Sequence, residues 1–114
     1  MQIVEQNTFG ISEALIQEVT AKIVQKCHPH KVILFGSTAW GKPKRYSDLD
    51  FFIIMDSTLA RPDERAMQIE AVFDDLDCPM DLIVYTPKEV EACLRKQNPF
   101  IRDILERGRL LYAG

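Results

Sequence analysis

Lys31-Val32-Ile33-Leu34-Phe35-Gly36-Ser37, ten further residues, and then Asp48-Leu49-Asp50-Phe51-Phe52-Ile53-Ile54 form the stretch that decides the fold. Val32 to Phe35 is a short apolar run cut off by glycine, the pattern of a buried strand over residues 31–35. The segment from Asp48 to Met55 reads as a second strand. Past its start it is apolar at every position, so both of its faces are covered, as for a strand in the middle of a sheet. Residues 36–47 between them are rich in Gly, Pro, Ser and Lys. A connection that long in so short a chain is a candidate for function.

Outward from this centre, Leu15, Ile16, Val19, Ile23 and Cys27 recur at three- and four-residue steps. They predict a helix over 12–27 with Ser12 as N-cap, ended at His28-Pro29-His30 because Pro29 cannot continue it. Ile69, Val72, Phe73 and Leu76 make one stripe of a helix over 63–76. Met80 to Tyr85 reads as a third strand. Thr86-Pro87-Lys88-Glu89 has the N-cap, first-position proline and third-position acid of a capping box, and Asn98-Pro99 opens a last helix that Gly108 closes. Arg109 to Tyr112 can add a final strand. The order is that of a small α/β sheet with helices packed on it.

The 114 residues are expected to form one domain, 1–114. With 14 Lys and Arg against 17 Asp and Glu, the net charge of 14 − 17 = −3 argues against strong nucleic-acid binding. No apolar run approaches the roughly 20 residues of a membrane span, and the N-terminus has no signal-peptide pattern. Cys27, Cys78 and Cys93 are far apart and in no ligand spacing, as for reduced structural thiols. These features lead us to expect a cytoplasmic protein.

The chemistry lies in the acids. Asp48 and Asp50 flank Leu49, so both point to the same side of the strand, about 7 Å apart. Two like charges beside Phe51, Phe52 and Ile53 are costly unless a cation joins them. Carboxylate oxygens suit Mg²⁺, which takes few protein ligands and fills its shell with water and phosphate. Asp81 in the third strand would meet the pair if that strand lies beside the second. Two ions about 3.5–4 Å apart could then clamp both oxygens of a phosphoryl displacement. Gly36 allows a phosphate close to the backbone, Ser37 offers a hydroxyl, and a helix starting at Thr38 would aim its amides at the same anion. Lys42, Lys44 and Arg45 add cations nearby. Trp40 and Ser47 are minor candidates, while His28 and His30 sit at a helix end where positive charge complements the dipole.

Gly36-Ser37, ten residues, then Asp48-Leu49-Asp50 resembles the signature of the DNA polymerase β-type nucleotidyltransferases, and the length and flanks are similar to the minimal nucleotidyltransferases among them. Ile33 to Pro43, Tyr46 to Phe51, Met80-Asp81-Leu82-Ile83-Val84 and Ile104 to Tyr112 carry the likeness. It implies a mixed-sheet palm in which Asp48 and Asp50 hold Mg²⁺ (two ions) and Asp81 completes the site and helps deprotonate the acceptor. Gly36 and Ser37 hold the triphosphate. Some relatives have a basic residue at the position of Trp40, so Lys42, Lys44 or Arg45 would have to serve in its place. The resemblance further implies AMP transfer from ATP to a hydroxyl on a cognate HEPN-type helical toxin, the chain acting as antitoxin in a hetero-oligomer. The alternatives are a non-catalytic antitoxin that blocks its partner and a small-molecule nucleotidyltransferase.

Overall fold

A computed structural model describes residues 13–36, 49–73 and 80–114 of the chain. Among these residues the order is α1 (Glu13–Cys27), β1 (Lys31–Phe35), β2 (Leu49–Ile54), α2 (Pro62–Glu70) with a 3₁₀ turn at Ala71–Phe73, and β3 (Met80–Tyr85). It continues with α3 (Pro87–Arg95), α4 (Pro99–Arg107) and β4 (Arg109–Ala113). The strands form one mixed sheet in the order β3-β2-β1-β4. β1 runs antiparallel to both β2 and β4, whereas β2 and β3 are parallel.

The sequence explains this order. β2 has a neighbour on each edge and helices on each face, which is why Leu49, Phe51, Phe52 and Ile53 are all fully buried. A parallel partner needs a crossover, and α2 supplies it. Alternation along the strands divides the core. Val32, Leu34, Phe51, Ile53 and Val84 pack against α1 and α2, while Ile33, Phe35, Phe52 and Ile54 pack against α3 and α4. Burying each such aromatic or branched side chain contributes on the order of 2 kcal/mol.

Several boundaries differ from expectation: β2 ends at Ile54 rather than Met55, α2 begins at Pro62 rather than Asp63, and β4 runs on to Ala113. The second helix ends as an α-helix at Glu70, and its last apolar residues, Val72 and Phe73, reach the core through the tighter 3₁₀ turn. Val72 is β-branched, which weakens its hold on α geometry. Ser12 and Leu76 lie outside the described residues. α1 is closed by His28 in left-handed conformation, φ 50°, with its amide donating to the Val24 carbonyl at 3.0 Å. The capping box forms as read: the Thr86 hydroxyl accepts from the Glu89 amide and the Glu89 carboxylate from the Thr86 amide. The Asn98 side chain accepts from the amides of Phe100 and Ile101. Gly108 follows α4 in extended rather than left-handed geometry. A Cβ there would lie 2.4 Å from the Ile104 carbonyl and 2.5 Å from Ile33 Cγ2, so contact, not backbone freedom, requires the glycine. Cys27 and Cys93 are free thiols, burial pushing that of Cys27 up; Cys78 lies outside the described residues. No helix among the described residues is long and apolar enough to cross a membrane.

One buried charge was not anticipated. Arg65, 3% exposed, donates to the carbonyls of Leu59 at 3.0 Å, Ala60 at 3.3 Å and Val84 at 3.1 Å. It also forms a two-pronged pair with Glu89 at 2.6 and 3.1 Å. The Arg65 guanidinium holds the Glu89 carboxyl below the usual carboxylate range. One side chain thus ties the loop before α2 to the end of β3 and the start of α3. Arg65→Met would leave these acceptors without their donor, and we expect it to remove about 2–4 kcal/mol of stability. A urea midpoint equal to that of the parent would contradict this.

A second pair joins distant parts of the chain. Arg109 at the start of β4 donates to both carboxylate oxygens of Glu13 at 2.9 and 2.5 Å. Hydrogen bonds from Arg109 and Gln17 pull the Glu13 carboxyl from 4.5 to about 2. A carboxyl lowered on folding stabilises the folded state above its unfolded value near 4.5, and that contribution is lost as pH falls toward about 2. Both side chains are about half exposed, so the pair contributes at most about 1 kcal/mol. The stability difference between the parent and Glu13→Gln should be constant from neutral pH to about 5 and shrink as pH falls below it.

Candidate functional site

The carboxylates collect where β2 and β3 begin. The parallel register sets Asp50 directly beside Asp81, and the antiparallel register sets Phe35 on the other side of Asp50. Register partners share a face, so Asp81, Asp50 and Phe35 form a row across three strands, each step about 4.8 Å. The row lies on the α3/α4 face, continuing the line of Phe52 and Ile83 one pleat along. Asp50 is half-buried and Asp81, on the outer strand, is exposed. The condition that the sequence reading set for Asp81 is met: it adjoins the second strand and faces the same way as Asp50.

Gly36 stands immediately after Phe35 with φ 81°, a conformation that L side chains rarely adopt. A Cβ at this position would meet Asp50 Oδ2 at 2.2 Å and Asp50 Cγ at 3.1 Å. The sequence reading gave this glycine a phosphate to approach; the structure adds that it leaves room for the carboxyl group of Asp50. Both constraints select glycine.

Asp48, Ser37 and Lys42 lie outside the described residues, as do Trp40, Lys44, Arg45 and Ser47. Among the described residues no three His, Cys, Asp or Glu side chains come together as a metal site. Asp50 and Asp81 are two adjacent oxygen donors. His30 is half exposed and pairs with Asp56 at 3.0 Å, and His28 caps α1; neither approaches the acids in the chain's layout. A cavity of about 340 Å³ lined by His30, Lys31, Ile54, Pro87 and Val90 opens at the opposite end of the sheet.

The fold of this chain is similar to those of two solved structures. A Sulfolobus solfataricus protein provisionally described as a nucleotidyltransferase superposes with a TM-score of 0.60 at 18% identity, over 88% of this chain and 78% of its own. A structure described as a toxin–antitoxin with AMP-PNP superposes with a TM-score of 0.58 at 20% identity, over 86% of this chain and 73% of that one. No curated protein matches the sequence significantly. The model of the nucleotidyltransferase domain family matches residues 16–111, and the chain belongs to that family.

Gly36→Ala tests the packing at the site. The added methyl collides with Asp50 and strains the backbone, so a stability loss of about 1–3 kcal/mol is expected. Chemical denaturation measures it, and a gain in stability, the usual result of Gly→Ala where the backbone permits it, would contradict the geometry.

Proposed function

We propose that residues 1–114 act as one nucleotidyltransferase domain that transfers AMP from ATP to a hydroxyl group on a partner protein. The observation that carries the reading is the side-by-side placement of Asp50 and Asp81 within a family defined by nucleotidyl transfer. Two adjacent carboxylates with the close approach at Gly36 fit Mg²⁺, which prefers oxygen donors and needs only a few from the protein. Asp48, Asp50 and Asp81 are the proposed ligands. When bound, the metal supplies neutralisation of the triphosphate charge and orientation of the reacting oxygens.

The chain's own groups do the rest. The backbone at Gly36, the Ser37 hydroxyl and the Lys42 ammonium hold the triphosphate at the end of β1. Asp81, exposed on the outer strand, receives the proton of the acceptor hydroxyl. The acceptor oxygen bonds to the α-phosphorus, the bond to the bridging oxygen breaks, and pyrophosphate leaves with its electron pair. Catalysis here is placement and charge compensation.

A partner protein is favoured by one neighbour. The similar fold in the toxin–antitoxin structure with AMP-PNP supports an adenine nucleotide and a protein acceptor. We assign that acceptor to the HEPN-type helical class, with the chain as antitoxin in the cytoplasm. A module that blocks its partner without chemistry is the competing reading, and a subunit acting on small molecules is a weaker one.

Asp50→Asn and Asp81→Asn keep shape and remove charge. Each should lower transfer of label from α-labelled ATP to the partner at least about 100-fold while leaving the urea midpoint near that of the parent. Transfer at the parental rate by either variant would end the enzymatic reading. A variant that cannot transfer label yet still neutralises the partner would favour the blocking module.

A further inference from the structure

Phe100 is 52% exposed in the first turn of α4. Its ring centroid lies 6.0 Å from that of Phe35, with an interplanar angle of 85°. Phe35 is 7% exposed and is the register partner of Asp50. The aromatic pair therefore extends the row Asp81, Asp50, Phe35 by one more group, rising from the sheet to the surface. In an edge-to-face pair at least one face of the outer ring is unused by its partner. The position is also fixed: Asn98 accepts from the Phe100 amide at 3.0 Å, and Ile101 and Ile104 anchor the helix in the core.

An exposed aromatic face beside a charged site is costly to hold in water and useful if something flat covers it. The proposed substrate carries its phosphates at the acids, and its remaining part is a sugar and a planar base. We propose that Phe100, braced by Phe35, is the platform on which the base of the nucleoside triphosphate stacks. This rests on the nucleotidyltransferase reading and adds the residue that grips the nucleoside. Stacking accepts any base, because every base has a π-face, so the platform strengthens binding of nucleotides over bare polyphosphate and discriminates weakly among bases.

The test compares ATP with inorganic tripolyphosphate, each with Mg²⁺, by calorimetric titration of the parent, Phe100→Leu and Phe100→Trp. Leucine keeps an apolar cover over Phe35 and removes the π-face; tryptophan keeps and enlarges it. Phe100→Leu should weaken ATP binding about 5- to 100-fold and leave tripolyphosphate binding within twofold of the parent. Phe100→Trp should bind ATP at least as tightly as the parent, and ATP but not tripolyphosphate should quench its fluorescence beyond any change in the parent, whose own tryptophan is Trp40. Equal weakening of both ligands, or unchanged ATP binding by Phe100→Leu, would overturn the platform while leaving the nucleotidyltransferase reading standing. A parent that binds neither ligand would overturn both. Circular dichroism and the urea midpoint of each variant identify a folding defect, and loss of fold in Phe100→Leu would overturn the proposal by making the residue structural.

Discussion

The parallel, in-register pairing of β2 with β3 is the constraint on which the rest depends. It places Asp50 against Asp81, and the alternation of side chains gives it no freedom to slip. A shift of one residue would drive Asp81 toward the α1/α2 core and turn Leu82 and Val84 out of it. Those two residues pack with Phe51 and Ile53 in a cluster that α1 and α2 close from outside. The apolar residues thus fix where the acids sit, although none of them contributes to the chemistry. The electrostatic cost of adjacent carboxylates is borne by hydrophobic register.

The two ends of the sheet are organised differently. At the far end, Arg65 donates to carbonyls of the loop before α2 and of β3 and to the Glu89 carboxylate, and the capping box completes the junction. At the near end, the described groups are acids, a glycine in left-handed conformation and an aromatic pair. A buried, fully bonded polar network rigidifies what it touches. That anchoring acts at the C-terminal end of β3, opposite the end that carries Asp81.

Much of this was legible beforehand. β1 and β3 have the bounds that the apolar runs implied, and the caps at Thr86 and Asn98 were written in local residue types whose chemistry needs no tertiary context. The nearness of Asp81 to Asp50 was readable only as a condition, because strand order is decided by crossover packing that no short window contains. Arg65 was unreadable for the opposite reason. On the sequence it is one charge among others in an amphipathic helix, and its burial follows from a carboxylate 24 residues later. Phe100 gave no periodic signal either, since its significance lies in its contact with Phe35. The sequence reading of Gly36 named a phosphate as its neighbour and did not foresee that the Asp50 carboxyl packs against it.

The position of β4 has a consequence for how the protein is made. Among the described residues β4 is an edge strand beside β1; it adds Leu111 and Tyr112 to the core beneath α1 and binds Glu13 through Arg109. Its partners precede it in the chain by 75 residues (Leu34 to Arg109) to 96 residues (Glu13 to Arg109). While the ribosome is still translating, β1 therefore shows a bare edge of amides and carbonyls, and the first core is uncovered on that side. Closure on that side has to wait until β4 has been synthesised, and until then the exposed edge of β1 is open to mispairing.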